Sequence, residues 1–255
     1  MRIDAESLTV PIERLSQEPF TFVVCYPKPS RTEIRKRIKE LEKLGIKALE
    51  FCGEKQVSNL KVLGKGCVGI VVKAYKGCEV VALKIRRVDA DRVTMLHEAE
   101  MIGMANSVDV GPRLLGVSKN FLLMQFVEGF LLPEWLEKRL GKTRLKSVLR
   151  DILEQCWRLD RAGLDHGELS HAPKHIIVDS QDNPVIVDFE TASINRKPSN
   201  VTSIAQFLFI SGVVAEKISR KLGEKNREAI IEALRRYKAD VNRQNFEALL
   251  SVCGL

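Results

Sequence analysis

Three glycines stand at the spacing Gly64-x-Gly66-x-x-Gly69-x-Val71, and the run Val81-Ala82-Leu83-Lys84-Ile85 begins twelve residues after the last of them. Without side chains, successive backbone N–H groups can close on an anion, so glycines at this spacing suggest phosphate. The residues after the third glycine decide the setting. Ile70-Val71-Val72-Lys73-Ala74-Tyr75 is β-prone, whereas a dinucleotide-binding turn would open a helix there, so the glycines form a hairpin lying over phosphates. A second concentration of reactive side chains lies downstream. Three of the four histidines, His166, His171 and His175, share one short stretch with Asp165 and Glu168. Such a set raises zinc, but the spacing is not that of a helical His-x-x-x-His pair and no cysteine is near, so zinc is the lesser reading.

In this order, the glycine hairpin, the Val-Ala-Leu-Lys strand and the segment Val185-Ile186-Val187-Asp188-Phe189-Glu190 resemble the protein-kinase superfamily. The likeness is to its small atypical, RIO-like members, the archaeal-type Ser/Thr protein kinases, and it covers about residues 63–208. The resemblance implies that ATP and Mg²⁺ are the cofactors. It makes Gly64, Gly66 and Gly69 the phosphate loop, Val71 and Ala82 the roof of the adenine pocket, and Lys84 the lysine that reaches the phosphates. Glu98 or Glu100 of Leu96-His97-Glu98-Ala99-Glu100-Met101 would hold that lysine, with Glu98 preferred on helical phasing. Met124 would stand behind the adenine, and the backbone from Gln125 to Val127 would bond its edge. Asp188 would bind Mg²⁺, as in the D-F-G segment, and Glu168 would take the place of the aspartate base. Five residues after the base, the family has a metal-binding asparagine. Here that position is Pro173, and His175, just before the strand Ile176-Ile177-Val178, is the candidate replacement. An imidazole is a poor donor for Mg²⁺. Glu190 stands where the family has glycine and resembles the D-x-E form found in aminoglycoside and choline-type phosphotransferases.

The elements that must carry these groups can be read from periodicity. Residues 1–56 read as a separate strand–helix–strand module of unknown role: Phe20 to Cys25 as strand, Ser30 to Leu44 as amphipathic helix, Lys47 to Phe51 as strand. Ser30 and Glu33 have capping-box spacing, and Gly45 is a helix stop. Residues 57–124, with β-branched runs broken by glycines and one helix at Val93 to Ala105, form an antiparallel sheet. Residues 125–255 are mainly helical and carry the catalytic loop. The expected fold is therefore α+β and bilobal, protein-kinase-like, with an antiparallel first lobe and a short helical second lobe.

Composition sets the outer limits. Apolar residues at 45% and charged residues at 29% of 255 describe a globular chain and exclude a disordered one. The acidic start MRIDAESLTV is not a secretory signal, and no apolar run reaches the roughly 18 residues of a membrane span, so a cytoplasmic protein with no membrane contact is expected. The six cysteines form no Cys-x-x-Cys pair and read as buried or partly buried thiols. The formal charge of +8 suits a nucleotide, RNA or an acidic protein. Its lysines and arginines alternate with glutamates, as in RTEIRKRIKELEKL, which is the pattern of a solvated helix face. Nucleic acid is thus a minor reading. The leading expectation is an ATP-dependent phosphotransferase, an atypical Ser/Thr kinase with a protein substrate. The alternatives are a nucleotide-binding pseudokinase and a small-molecule kinase.

Overall fold

The computed structural model describes residues 7–255. The protein is α+β with antiparallel sheets, and its chain divides into two compact units. The first comprises the residues up to Glu100 together with Arg113–Phe126. The second comprises Met101–Pro112 and Val127–Leu255.

The first unit is built on one sheet. Strands β1 (Leu8–Pro11) and β2 (Ile46–Phe51) precede a small hairpin of β3 (Lys55–Val57) and β4 (Leu60–Val62). Then come β5 (Gly64–Lys65), β6 (Gly69–Lys76), β7 (Glu79–Arg86), β8 (Leu114–Val117) and β9 (Phe121–Gln125). The order in the main sheet is β1-β2-β6-β7-β9-β8, with β5 folded back on β6. Residues 8–51 thus supply two strands of the sheet that carries the glycine hairpin. Because strand side chains alternate, Ile70, Val72, Ala74, Val81, Leu83 and Ile85 point to one face and are buried there. They pack with Leu15, Phe20, Val23, Val24, Leu41, Leu49 and Phe51 from the first fifty-one residues in a single core. Each valine, leucine, isoleucine or phenylalanine among them is worth about 1.5–3 kcal/mol of burial.

Two short helices serve that core. Phe20–Cys25, expected as a strand, is instead a single helical turn, α1 (Thr21–Val24). Val23, Val24 and Cys25 are fully buried, so the run is apolar on every side, and periodicity cannot tell a buried turn of helix from a buried strand. The longer α2 (Arg31–Lys43) begins as its sequence requires, with the Ser30 hydroxyl accepting from the Glu33 amide at 3.2 Å. Gly45 comes after it with φ +79°. The charges of α2 are not all solvated, however. Arg37 is fully buried and donates to the carbonyls of Val24 (2.7 Å) and Arg86 (2.5 Å) and to Asn120 Oδ1 (3.1 Å). Asn120 in turn donates to Glu40 at 2.6 Å. Buried polar groups need such partners, and this network ties α2 to the end of β7 and to the β8–β9 turn.

The helix α3 (Leu96–Asn106) passes from the first unit into the second. In the second unit, a three-stranded sheet of β10 (Gly129–Leu131), β11 (Ile176–Asp179) and β12 (Pro184–Ile186) accompanies α4 (Leu132–Trp135) and α5 (Lys142–Arg161). Beyond it lie α6 (Asn200–Ala205), α7 (Val213–Leu222), α8 (Arg227–Ala239) and α9 (Arg243–Cys253). Leu145, Val148, Leu149, Ile152, Leu153, Cys156 and Leu159 form the buried stripe of α5 at helical spacing. Cys25, Cys156 and Cys253 are buried, but Cys67 and Cys78 are exposed, because both sit in hairpin turns beside glycines. Among the described residues, no single helix is long and apolar enough to cross a membrane.

Candidate functional site

In the first unit Val71, Ala82, Lys84 and Met124 share one face of the sheet. On β7, Ala82 and Lys84 alternate with the core-facing Val81, Leu83 and Ile85. Pairing then sets Val71 across from Lys84 on β6, and Met124 and Leu122 across from Ala82 and Lys84 on β9. Cross-strand partners lie on the same side of a sheet, so Val71, Ala82, Met124 and Lys84 form one surface, opposite the core. Gln125 is paired with Val81 at the end of β9, and Val127 belongs to the second unit.

Lys84 is 5% exposed, and its Nζ lies 2.8 Å from Oε1 of Glu98, itself 3% exposed. Glu98 stands in the first turn of α3, two residues before the exposed Glu100. A buried ammonium and carboxylate persist only when they meet at such a distance. The glycines beside them differ in what they do. A Cβ on Gly69 would lie 3.0 Å from Lys84 Cγ and 3.1 Å from the Ile85 carbonyl, so that glycine lets the hairpin rest on the stem of the lysine. At Gly64 and Gly66 an added Cβ would meet no described atom nearer than 3.6 Å, and neither residue has a positive φ. Packing of the protein on itself does not demand glycine at those two positions, whereas a phosphate drawn close to the backbone would. The hairpin is fixed from outside by Arg87, whose amide donates to the Val68 carbonyl at 2.8 Å and whose guanidinium donates to the Gly66 carbonyl at 3.1 Å.

In the second unit, strand register brings the titratable groups together. Ile176 pairs with Ile186, which sets His175 opposite Val187, and the Val187 amide donates to the His175 carbonyl at 2.9 Å. Asp188 comes next, with φ +70°, in the left-handed region that few side-chain-bearing residues enter. His175 is 1% exposed; its Nε2 lies 2.9 Å from Glu168 Oε2 and its Nδ1 3.9 Å from Asp188 Oδ2. One donor atom from each of Glu168, His175 and Asp188 falls within 4.8 Å of the others. Burial holds the imidazole of His175 below its usual pKa, against the pull of the Asp188 and Glu168 carboxylates. A carboxylate has no proton to give, so Nε2 carries the hydrogen and Nδ1 is the bare nitrogen. His171 is exposed and lies outside the group.

The loop itself is held by His166 and Asp165, which the sequence marked, and by Asp160, Asn200 and Ser193, which it did not. His166, fully buried, sets Nε2 3.1 Å from the Val187 carbonyl and packs against Phe189 with ring centroids 5.0 Å apart. Burial brings its pKa down to about 4. The His166 amide donates to Asn200 Oδ1 at 2.8 Å, and Asn200 donates to Asp160 at 2.8 Å and to the Leu164 carbonyl at 2.7 Å. Asp165 and Ser193 exchange backbone hydrogen bonds at 3.0 and 2.8 Å, and Asp165 also accepts from Arg196 at 2.8 Å. Gly111, with φ +81°, makes room for Phe189, whose ring would come within 2.8 Å of a Cβ there. Asp160 and Asn200 are forty residues apart in sequence, and no local pattern connects them.

The cofactors implied by the resemblance fit unequally. Gly64 and Gly66 leave backbone open to an anion, on the hairpin whose Gly69 packs against Lys84. Mg²⁺ takes oxygen donors in octahedral geometry, and Asp188 offers one, yet the most buried member of the group offers nitrogen.

No protein-family model matches the chain. Over 99 residues, 39% of its length, it is 31% identical to "Uncharacterized protein MJ1211" of Methanocaldococcus jannaschii, spanning 83% of that protein. At that identity and coverage, the chain belongs to the same family as this archaeal protein.

Proposed function

We propose that the protein is an ATP-dependent phosphotransferase with a bilobal, protein-kinase-like fold, acting as an atypical kinase on serine or threonine hydroxyls of a protein. The observation that carries this reading is the buried Lys84–Glu98 pair at 2.8 Å beneath a glycine hairpin whose Gly64 and Gly66 have no packing reason to be glycine. The hairpin amides and Lys84 bind the phosphates, Val71, Ala82 and Met124 offer an apolar surface to the base, and Gln125 and Val127 offer backbone groups to its edge. Asp188 supplies the carboxylate for a divalent cation. Glu168 takes the hydroxyl proton through one carboxylate oxygen while His175 holds the other at 2.9 Å. Catalysis then consists of positioning and charge stabilisation.

That same hydrogen bond favours a second reading, in which Glu168 is locked against His175 and the protein binds nucleotide as a switch without transfer. Single-turnover phosphate transfer from labelled ATP to a protein mixture separates the two. Glu168→Gln should slow transfer about 10²- to 10⁴-fold with ATP binding unchanged. Lys84→Ala should weaken ATP binding about 10- to 100-fold, the loss of charged hydrogen bonds. Transfer that is absent in the wild type would sink the enzyme reading, and undiminished ATP binding by Lys84→Ala would sink the pocket.

A further inference from the structure

His175 Nδ1 is buried and makes no hydrogen bond to any described residue, although a buried ring nitrogen left without one is costly. It faces the Asp188 carboxylate at 3.9 Å. Two donors each about 2.0–2.1 Å from a shared tetrahedral ion stand about 3.4 Å apart, so a shift of about half an ångström in the partly exposed Asp188 carboxylate lets one ion bind both atoms. The opposite nitrogen is held by Glu168 at 2.9 Å. A carboxylate that accepts from the far N–H of an imidazole fixes its tautomer and ring direction and makes the near nitrogen a stronger donor.

We propose that His175 Nδ1 and Asp188 Oδ2 bind a divalent transition metal of the manganese-to-zinc class in preference to Mg²⁺, with Glu168 as the residue that positions the imidazole. The inference rests on Asp188 being the metal carboxylate of the phosphotransferase, but it does not require nucleotide. Nitrogen donors follow the order in which Co²⁺ and Zn²⁺ bind more tightly than Mn²⁺, while Mg²⁺ holds to oxygen and water. The arrangement also assigns a second task to Glu168. Its Oε2 serves the metal through His175, and its exposed side serves any acceptor hydroxyl.

The test is titration of the full-length, nucleotide-free protein with CoCl₂, ZnCl₂ and MgCl₂ by calorimetry and by visible absorption of Co²⁺. Wild type should take up one Co²⁺ or Zn²⁺, with Mg²⁺ much weaker. Glu168→Gln should lose about 10- to 100-fold in Co²⁺ affinity, the usual effect of removing the group behind a ligating histidine. His175→Asn, which exchanges nitrogen for an amide oxygen, should lose more and bring the Co²⁺ and Mg²⁺ affinities together. His171→Asn should match wild type. Because His175 is buried and its replacement could disturb folding, wild-type protein labelled with ¹⁵N-histidine is titrated with Zn²⁺ as well. One Nδ1 resonance should move by the shift of metal coordination. Co²⁺ uptake that is indifferent to His175→Asn, or no Nδ1 shift on adding Zn²⁺, overturns the proposal. Failure of ATP to bind, with the metal results intact, would overturn the nucleotide reading alone.

Discussion

Lys84 and Glu98 meet from the middle of a strand and the first turn of a helix, whereas Glu168, His175 and Asp188 meet from the ends of loops. In the first unit, regular backbone does the placing, and a buried polar network around Arg37 braces the sheet behind it. In the second, two left-handed residues, Gly167 at φ +90° and Asp188 at φ +70°, aim the groups, and a buried histidine bonds the two loops together. Backbone in that region is unfavourable for a side-chain-bearing residue by about 1–3 kcal/mol and survives because its neighbours leave no other course. A pair set by regular structure tolerates loop changes, and a group set by strained loops depends on every tie around it. Each tie can be cut separately.

The largest effect is expected at Arg37. Arg37→Met removes a buried guanidinium that serves Val24, Arg86 and Asn120, and strips Glu33 of its partner at 3.0 Å. Breaking a buried charged network from one side costs about 3–5 kcal/mol. Arg86 shares Asn120 Oδ1 with Arg37, and its own pKa is lowered by burial and by that neighbouring charge. Relief of this repulsion puts the loss at the lower end. Hydrogen exchange should show the amides of β6 and β7 losing protection. A change below about 1 kcal/mol there would mean that the apolar core alone braces the sheet.

How much of this could be read from the chain alone divides in the same way. The Ser30–Glu33 cap, the glycine hairpin and the strand bearing Lys84 are signalled within a few residues of themselves, and the structure has them where the sequence put them. Arg37 read as part of a solvated face because its helix mixes both signs of charge; only the packing of α2 against the sheet shows that this one cation is enclosed. The turn at Thr21–Val24 read as strand because a short, mostly buried run of apolar residues shows no clear period. Glu168, His175 and Asp188 were each marked by the resemblance, and the structure sets them side by side. Their contact depends on the β11–β12 register and on Asp160–Asn200, pairings between segments far apart in sequence that leave no local trace.

The next effect is one of pH, and it belongs to the second unit. An unfolded histidine titrates near pH 6.5 and His166 in the fold at about 4. The fold keeps the neutral ring, so the stabilisation is complete above about pH 6.5. As the pH falls, the unfolded chain takes up the proton first, and stability declines until the folded ring also protonates. Over that window the loss is about 3 kcal/mol, with no further loss from this group below it. His175 is shifted in the same direction and adds to the slope. Both tryptophans, Trp135 and Trp157, lie in the second unit, so urea midpoints tracked by their fluorescence report on it. His166→Phe should lower stability at pH 7 and flatten its decline towards pH 4.5. An unchanged slope would show that the Val187 hydrogen bond and burial do not govern the loop.

The smallest effects set one glycine from each unit against the other. At Gly167, φ is +90° and a Cβ would stand 2.6 Å from Arg196 Nη2 and 3.1 Å from the Thr191 carbonyl. Gly167→Ala should therefore cost about 1–3 kcal/mol through strain and through the disturbed Arg196–Asp165 bond. Gly66 has no positive φ and no described atom within 3.6 Å of a built Cβ. Gly66→Ala should instead gain about 0.4–1 kcal/mol, since alanine restricts the unfolded chain more than glycine does. It should nonetheless weaken ATP binding, because the new methyl group occupies the space that phosphate would use. Thermal unfolding and ATP titration of the two variants decide it. If Gly66→Ala were destabilised as much as Gly167→Ala, the hairpin glycines would be structural after all, and the division between a glycine kept for the fold and one kept for a ligand would be lost. Opposite signs in stability, with ATP affinity falling in Gly66→Ala, would mean that the glycine hairpin is shaped for a ligand and the loop at Gly167 for the fold.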